Sequence, residues 1–282
     1  MADYRNSKWA KELLALQRED GSWGYFHSLS EPGKSSPTTE QALRRLAVLG
    51  YRMQDEPIQR CVAYMHECLR GIRQTPDRRE KLHDWDIFTR LMLATWIRRF
   101  TDEIAAANSV AATWAGIISA AFVSGQYRHS DYVAAYADAF GEAPRGGRLV
   151  DFVSFYQVSL ISPCLDRAIE PLVFQHILSH PEGIYYIYGR PLSEPPPSFQ
   201  SKLASRYLAA AELLAAYPSA KGRLGFVVAW LQANRNASGR WDMGSAAKDG
   251  IYFPLSDSWR QPAAREADCT YRIERLLQRI SR

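Results

Sequence analysis

Residues 17–26 read QREDGSWGYF, and a related stretch, LQANRNASGRWDMG, spans residues 231–244. In both stretches a segment with helical apolar spacing ends near a glutamine, and a polar turn with a glycine and then a tryptophan follow. The glutamine amide can donate to helix-terminal carbonyl groups or to the next loop, and glycine permits a tight reversal. The tryptophan supplies a large face that covers the turn. We predict that each turn fastens neighbouring outer helices to each other.

Apolar residues recur with helical spacing almost throughout the chain, as in EQALRRLAVLGY (residues 40–51) and FTRLMLATWIRRF (residues 88–100). Loops rich in proline and glycine separate these segments, so that two helices and a loop recur with a period of roughly 40 to 50 residues. No convincing series of strands is present in the pattern. The sequence therefore predicts an all-α helical repeat, either an open solenoid or a closed ring.

Length and composition predict one domain over residues 1–282, since 282 residues with 46% hydrophobic content can bury a large core. The formal net charge of +5 is spread through the chain, which favours contact with anionic lipid or phosphate only weakly. No segment is apolar enough to span a membrane and the N-terminus lacks the apolar centre of a signal peptide. We expect a cytoplasmic protein and leave peripheral membrane association open.

Several chemistries are not expected. The four cysteines are scattered and form no CxxC pair, so we interpret them as reduced thiols. His176 and His180 have an i,i+4 spacing, but HILSH lacks the glutamate of HExxH, and we predict no metal and no cofactor. Nucleic acid is not an expected partner, because no basic helix, aromatic RNA-binding signature or zinc-finger spacing is present.

The turn pattern resembles the QW motif of the terpenoid-cyclase and prenyltransferase families, whose helix pairs form an α/α toroid. The first copy matches at the expected spacing, and the second has a longer gap between glutamine and glycine. The matching residues are Gln17, Gly21, Trp23, Gln232, Gly239 and Trp241. This resemblance implies an α/α toroid of about five to six helix pairs. Its inner helices would begin near Thr38, Asp84, Val150, Phe199 and Asp268, with Ser36 and Asp268 as polar caps before two of them.

Residues 267–272, ADCTYR, resemble the DCTAE segment of the oxidosqualene cyclases. The resemblance implies that Asp268 is the acid that starts cyclisation by protonating the substrate, although Tyr271 and Arg272 depart from the pattern. This chemistry needs a carboxylic acid that stays protonated in an apolar pocket. The alternative is that Asp268 is simply the N-cap of the last helix.

Residues 83–86, HDWD, gather His83, Asp84 and Asp86 around Trp85 just before a predicted inner helix. They resemble the DxDD motif of the bacterial triterpene cyclases without its last aspartate, which implies that His83, Asp84 and Asp86 assist catalysis. The two carboxylates could equally bind Mg²⁺ for a diphosphate or cap the helix. The zinc site of the protein prenyltransferases is not expected, since no histidine follows His180.

An internal echo, EGIYY (residues 182–186) and DGIYF (residues 249–253), occurs in two long loops. Equivalent loops of a repeat often share a binding face, but these aromatic residues could also plug one end of the ring. The substrate-binding candidates are Trp85, Tyr185, Tyr186, Tyr252, Phe253, Arg190, Arg260 and Arg272. The arginines could form an anion pocket or lie on the solvated surface in ion pairs.

The leading hypothesis is a terpenoid-cyclase-like protein that binds an isoprenoid or another hydrophobic small molecule in the ring cavity, with proton-initiated cyclisation through Asp268. The alternative is a non-catalytic toroid that binds a ligand or protein through its Tyr/Arg-rich loop face, since a fold does not fix a function. A third hypothesis is a carbohydrate-active barrel with Asp84 and Asp249 as paired carboxylates. A homodimer or a partner chain that completes the site is left open.

Overall fold

The computed structural model describes residues 4–27, 36–81, 84–147 and 149–281 of the chain. Twelve α-helices occur in these residues, and no β-strand is formed within the described ranges. The helices are α1 (Lys8–Ala15), α2 (Thr39–Leu49), α3 (Glu56–Leu69), α4 (Trp85–Arg98), α5 (Ala105–Ala120), α6 (His129–Phe140), α7 (Phe155–Ile161), α8 (Glu170–Ser179), α9 (Lys202–Leu214), α10 (Ala220–Arg223), α11 (Gly225–Ala233) and α12 (Pro262–Ile280). The all-α prediction is confirmed.

Polar side chains begin three of the predicted inner helices. Thr38 and Gln41 form a reciprocal capping box at the start of α2, and the Asp84 carboxylate accepts the N–H of Ile87 at 2.8 Å at the start of α4. Ser201 caps α9 by accepting the N–H of Ala204. The cap of α2 is thus Thr38 rather than Ser36, and capping is the observed role of Asp84.

The predicted beginnings of two helices were wrong. The helix predicted to begin near Val150 begins at Phe155, whereas α9 begins at Lys202, close to the predicted Phe199. Asp268 is not a cap, because α12 begins at Pro262 and Asp268 lies inside it. Proline suits the first turn of a helix, where its missing N–H has no intrahelical partner, so α12 starts earlier than the capping pattern predicted.

The tryptophans of the two turns make equivalent hydrogen bonds. The indole N–H of Trp23 donates to the carbonyl of Leu13 at 2.7 Å, and that of Trp241 donates to the carbonyl of Leu231 at 2.7 Å. The backbone N–H groups of the two tryptophans donate to the hydroxyls of Thr39 and Thr270, in α2 and α12. The first turn therefore connects the end of α1 with α2, and the second connects the end of α11 with α12.

The glutamine position differs between the two turns. Gln17 donates to the carbonyl of Gly21 at 2.9 Å and to that of Pro57 in α3 at 2.8 Å. In the second turn it is the guanidinium of Arg235 that donates to the carbonyl of Gly239, at 2.6 Å, while the side chain of Gln232 is exposed. Matching Gln232 to Gln17 was thus wrong, and Arg235 occupies the equivalent place.

Gly21 allows the first turn to lie directly on α3. Its φ of +88° is in the left-handed region, and a Cβ atom there would lie 2.5 Å from the carbonyl oxygen of Arg60. Any other residue would strain the backbone and force α3 away from the turn.

The helices share one apolar core among the residues that the structure describes, with Trp96 in α4 and Trp114 in α5 among its largest buried side chains. α4 packs against α3, α5 and α7. No helix of the described residues is both long and apolar enough to cross a membrane.

Candidate functional site: an arginine-lined cavity

A cavity of about 440 Å³ lies where α2, α4, α7, α9 and α12 meet. The lining residues come from these five helices or from the positions just after them, apart from Ile187, Tyr252 and Leu255 in two loops. The five helices are separated in the chain by the remaining helices. Side chains distant in sequence are therefore brought to one site.

Arginine dominates the polar lining of this cavity. Seven arginines face it, and Glu212 is the single acidic residue among the described lining residues. The arginines are Arg44, Arg52, Arg98, Arg99, Arg272, Arg275 and Arg279. Such an excess of positive charge in a concave site attracts anions.

Arg44 and Arg99 lie against the same aromatic ring. Their guanidinium carbons lie 4.2 Å and 5.4 Å from the centre of the Phe155 ring. Arg44 also pairs with the buried carboxylate of Glu40 at 3.3 Å and donates to the hydroxyl of Tyr252 at 3.4 Å. Two cations are thus held side by side by aromatic packing.

Arg99 has no carboxylate partner in the described part of the chain. It donates to the hydroxyl of Ser159 at 3.0 Å, and its guanidinium also lies 5.5 Å from the centre of the Trp96 ring. Arg99 is exposed, but desolvation by the surrounding protein and the positive charge of Arg44 lower its pKa to about 10. Arg99 therefore remains cationic at neutral pH in surroundings that do not neutralise it.

Arg272 and Glu212 form the ion pair of the cavity wall. The guanidinium makes two hydrogen bonds to the carboxylate, at 2.7 Å and 3.1 Å, and also donates to Ser205. Burial opposes the charge of Arg272, but the pairing with Glu212 outweighs it and raises the pKa. The only acidic residue among the described lining residues is thus already neutralised.

The loop with Tyr252 is fixed to the helices around it by two charged side chains. Asp249 accepts the backbone N–H groups of residues 251–253 on one oxygen, while the other accepts the hydroxyl of Ser205 at 2.6 Å. Arg45 donates to the carbonyl groups of Ile251 and Pro254. Tyr252 is consequently held between Arg44 and Arg272, whose guanidinium carbon lies 4.8 Å from the centre of its ring.

Asp268 holds the same loop from α12. Its fully buried carboxylate accepts the N–H of Leu255 at 2.8 Å and both the N–H and the hydroxyl of Ser256. Burial raises its pKa, while these donors act in the opposite direction. Asp268 is absent from the described lining of the cavity, so the proposed acid lies behind the cavity wall.

The HDWD residues lie away from the cavity. Asp84 caps α4, and Asp86 is exposed and pairs with Arg79 at 2.6 Å. Trp85 is buried and, with Asp84, borders a separate shallow depression that also includes Arg145. His83 lies outside the described residues.

The two echo loops have different environments. Tyr252 lines the cavity and Phe253 is fully buried behind it, whereas Tyr185 is 46% exposed. Tyr186 has a φ of 72°, and its hydroxyl lies 3.4 Å from the ring of His27. Tyr185 and Tyr186 do not line the arginine cavity, so the sequence echo does not mark two equivalent binding positions.

Two of the three predicted ligand-binding arginines lie elsewhere. Arg190 and Arg260 are exposed and do not line the cavity, whereas Arg272 does. The sequence analysis missed Arg44 and Arg99. The available signal was an arginine pair in each of two predicted inner helices, Arg44 with Arg45 and Arg98 with Arg99.

Comparison of the chain with models of known protein families, with curated proteins and with solved structures found no match. The chemistry of the site therefore has to be argued from its own residues.

Proposed function

We propose that this protein binds an amphiphilic anion, bearing a phosphate or diphosphate group, in the arginine-lined cavity. The observation that supports this proposal is the set of seven arginines against one carboxylate, which is itself paired with Arg272. Isoprenoid diphosphates are the first ligand class to test, because the sequence resemblance points to isoprenoids.

The guanidinium group suits phosphate oxygens because its planar fork can donate two parallel hydrogen bonds. Arg99 has no carboxylate partner in the described chain, and desolvation and the charge of Arg44 lower its pKa. Arg98 donates to the side-chain oxygen of Asn108, and its buried Nε atom has no hydrogen-bond partner among the described residues. An anion beside the exposed guanidinium of Arg99 would supply the charged acceptor that the described chain does not.

The rest of the lining suits an apolar group. Apart from Ser159, Ser162 and Glu212, its members are aliphatic and aromatic side chains from the five helices, from the positions just after them and from two loops. They include Val48, Phe100, Val158, Leu213 and Leu276. The volume of about 440 Å³ lies within the usual range for small-molecule sites. A ligand with an anionic head and a hydrocarbon part can use both kinds of surface.

The α/α toroid belongs to the same proposal. Five helices separated in the chain meet at one cavity, as the inner helices of a closed ring would. Cyclisation started by Asp268 has weaker support, since this carboxylate accepts hydrogen bonds from Leu255 and Ser256 outside the cavity lining. We therefore propose a binding function only. Catalysis would be a further activity in addition to it.

Titration calorimetry with inorganic diphosphate, farnesyl diphosphate and farnesol tests the proposal. We expect farnesyl diphosphate to bind more tightly than either of the other two, because only it has both parts. Arg99→Gln should weaken its binding at least about 10-fold, since hydrogen bonds to charged groups contribute roughly 1.5–3 kcal/mol.

Arg190→Gln is the matched control, because Arg190 is exposed and lies outside the cavity lining. Circular dichroism establishes that both variants are folded. Equal affinity for farnesol and farnesyl diphosphate, or an affinity unchanged by Arg99→Gln, would contradict the proposal.

A further inference from the structure

The arginines of the cavity lie at two depths, and from this we infer that the ligand has two anionic groups, one at each end of an apolar span. This inference rests on the proposed function and specifies its ligand. The inner group is Arg44, Arg272 and Arg99, which is exposed but lies beside Arg44 on the Phe155 ring. The rim group is Arg52, Arg275 and Arg279.

Exposure along α12 shows the two depths. Arg272 is 5% exposed, Arg275 is half-buried and Arg279 is exposed, although all three line the cavity. Seven residues of α-helix separate the first from the last, which corresponds to about 10 Å along the axis. An anionic group bound at Arg272 and another bound at Arg279 would therefore occupy different positions along the cavity wall.

α2 shows the same gradient. The side chain of Arg44 is 13% exposed and pairs with Glu40, whereas Arg52, just after the helix, is exposed. Partial burial and the charges of Arg275 and Arg279 lower the pKa of Arg52. The end of α2 and the end of α12 therefore bring their rim arginines to one place.

The rim arginines have partial structural roles that do not neutralise them. Arg52 donates to the carbonyl groups of Ala47 and Tyr51 at the end of α2, and Arg275 donates to the hydroxyl of Tyr271. Cations commonly stabilise helix C-termini in this way. None of the three rim arginines forms an ion pair within the described chain, however, so their charge remains available to an anion.

Two apolar side chains lie between the two groups. Val48 lies between Arg44 and Arg52 in α2, and Leu276 lies between Arg272 and Arg279 in α12. Both side chains line the cavity. The arrangement therefore suits a hydrocarbon span of about 10 Å with an anionic group at each end.

The test compares octylphosphonate with octamethylene bisphosphonate, which has the same chain and a second anionic end. Titration calorimetry at low ionic strength should show about 10-fold tighter binding of the bisphosphonate, because its second anionic end adds modest pairings with exposed arginines. The double variant Arg275→Gln/Arg279→Gln should remove this difference, so that it binds the two probes about equally. Arg99→Gln should weaken the binding of both probes.

The inference fails if the wild-type protein binds the two probes equally well, or if the double variant keeps the advantage of the bisphosphonate. In either case the proposed function stands, provided that octylphosphonate binding depends on Arg99. If neither probe nor farnesyl diphosphate binds, the proposed function itself is overturned.

Discussion

Asp268 accepts hydrogen bonds from two successive residues of the loop with Tyr252, and Arg99 lies in the cavity without a carboxylate partner in the described chain. The resemblance of residues 267–272 to the DCTAE segment implied an acid at Asp268, and the helical pattern after it implied a cap. The cap prediction was wrong, because α12 begins at Pro262, and Asp268 is absent from the described lining of the cavity. Residues 267–272 alone do not indicate that backbone N–H groups in the loop with Tyr252 require a buried acceptor.

Asp268→Asn tests this structural role. The amide replaces one acceptor oxygen with a donor, so at least one buried loop N–H or hydroxyl would lose its partner. We expect the free energy of unfolding to fall by about 1–3 kcal/mol, measured by chemical denaturation.

Asp138→Asn is the matched control, because Asp138 is exposed on α6, and it should change stability little. If Asp268→Asn is as stable as the wild type but abolishes ligand binding, Asp268 acts in the cavity and the structural role is wrong.

At the scale of elements, the two tryptophan turns are the best prediction that the sequence allowed. Gly21 and Trp23 have the expected roles, and Gln17 fastens the first turn to α3 through the carbonyl of Pro57. The prediction failed at the second turn, because arginine and glutamine side chains can donate the same hydrogen bond. Arg235 can donate to the Gly239 carbonyl as Gln17 does to that of Gly21, and a search for glutamine alone selected the wrong residue.

Replacing each turn tryptophan with phenylalanine tests the equivalence of the turns. Trp23→Phe and Trp241→Phe each remove an indole N–H that donates to a helix-end carbonyl at 2.7 Å. Each should lower the free energy of unfolding by about 1–3 kcal/mol, by similar amounts, in denaturant titrations.

Trp114→Phe is the control for lost volume, because Trp114 is also fully buried and its indole N–H makes no hydrogen bond with the described residues. It should be less destabilising than either turn variant. An effect as large for Trp114→Phe as for Trp23→Phe would show that volume, and not the hydrogen bond, stabilises the turns.

At the scale of the whole molecule, folding brings together positive charges that are dispersed along the sequence. The net charge of +5 is interspersed along the chain and predicts only weak attraction to anions. The five helices around the cavity collect arginines that lie as far apart in sequence as Arg44 and Arg279. Helical periodicity predicted the helices. It does not predict their rotation relative to one another, which depends on packing across the whole core. That rotation places Arg44 in the cavity and Arg45 against the loop with Tyr252.

The most direct test of the central claim is a crystal structure of the protein soaked with tungstate, a phosphate-like anion that is located by its anomalous scattering. We predict a tungstate ion in the cavity, within hydrogen-bond distance of Arg99 and of Arg44 or Arg272. The Arg99→Gln protein, soaked in the same way, should lose this ion. An empty cavity in the wild-type crystal, with tungstate bound only at exposed surface arginines such as Arg190, would contradict the claim that this cavity is an anion site.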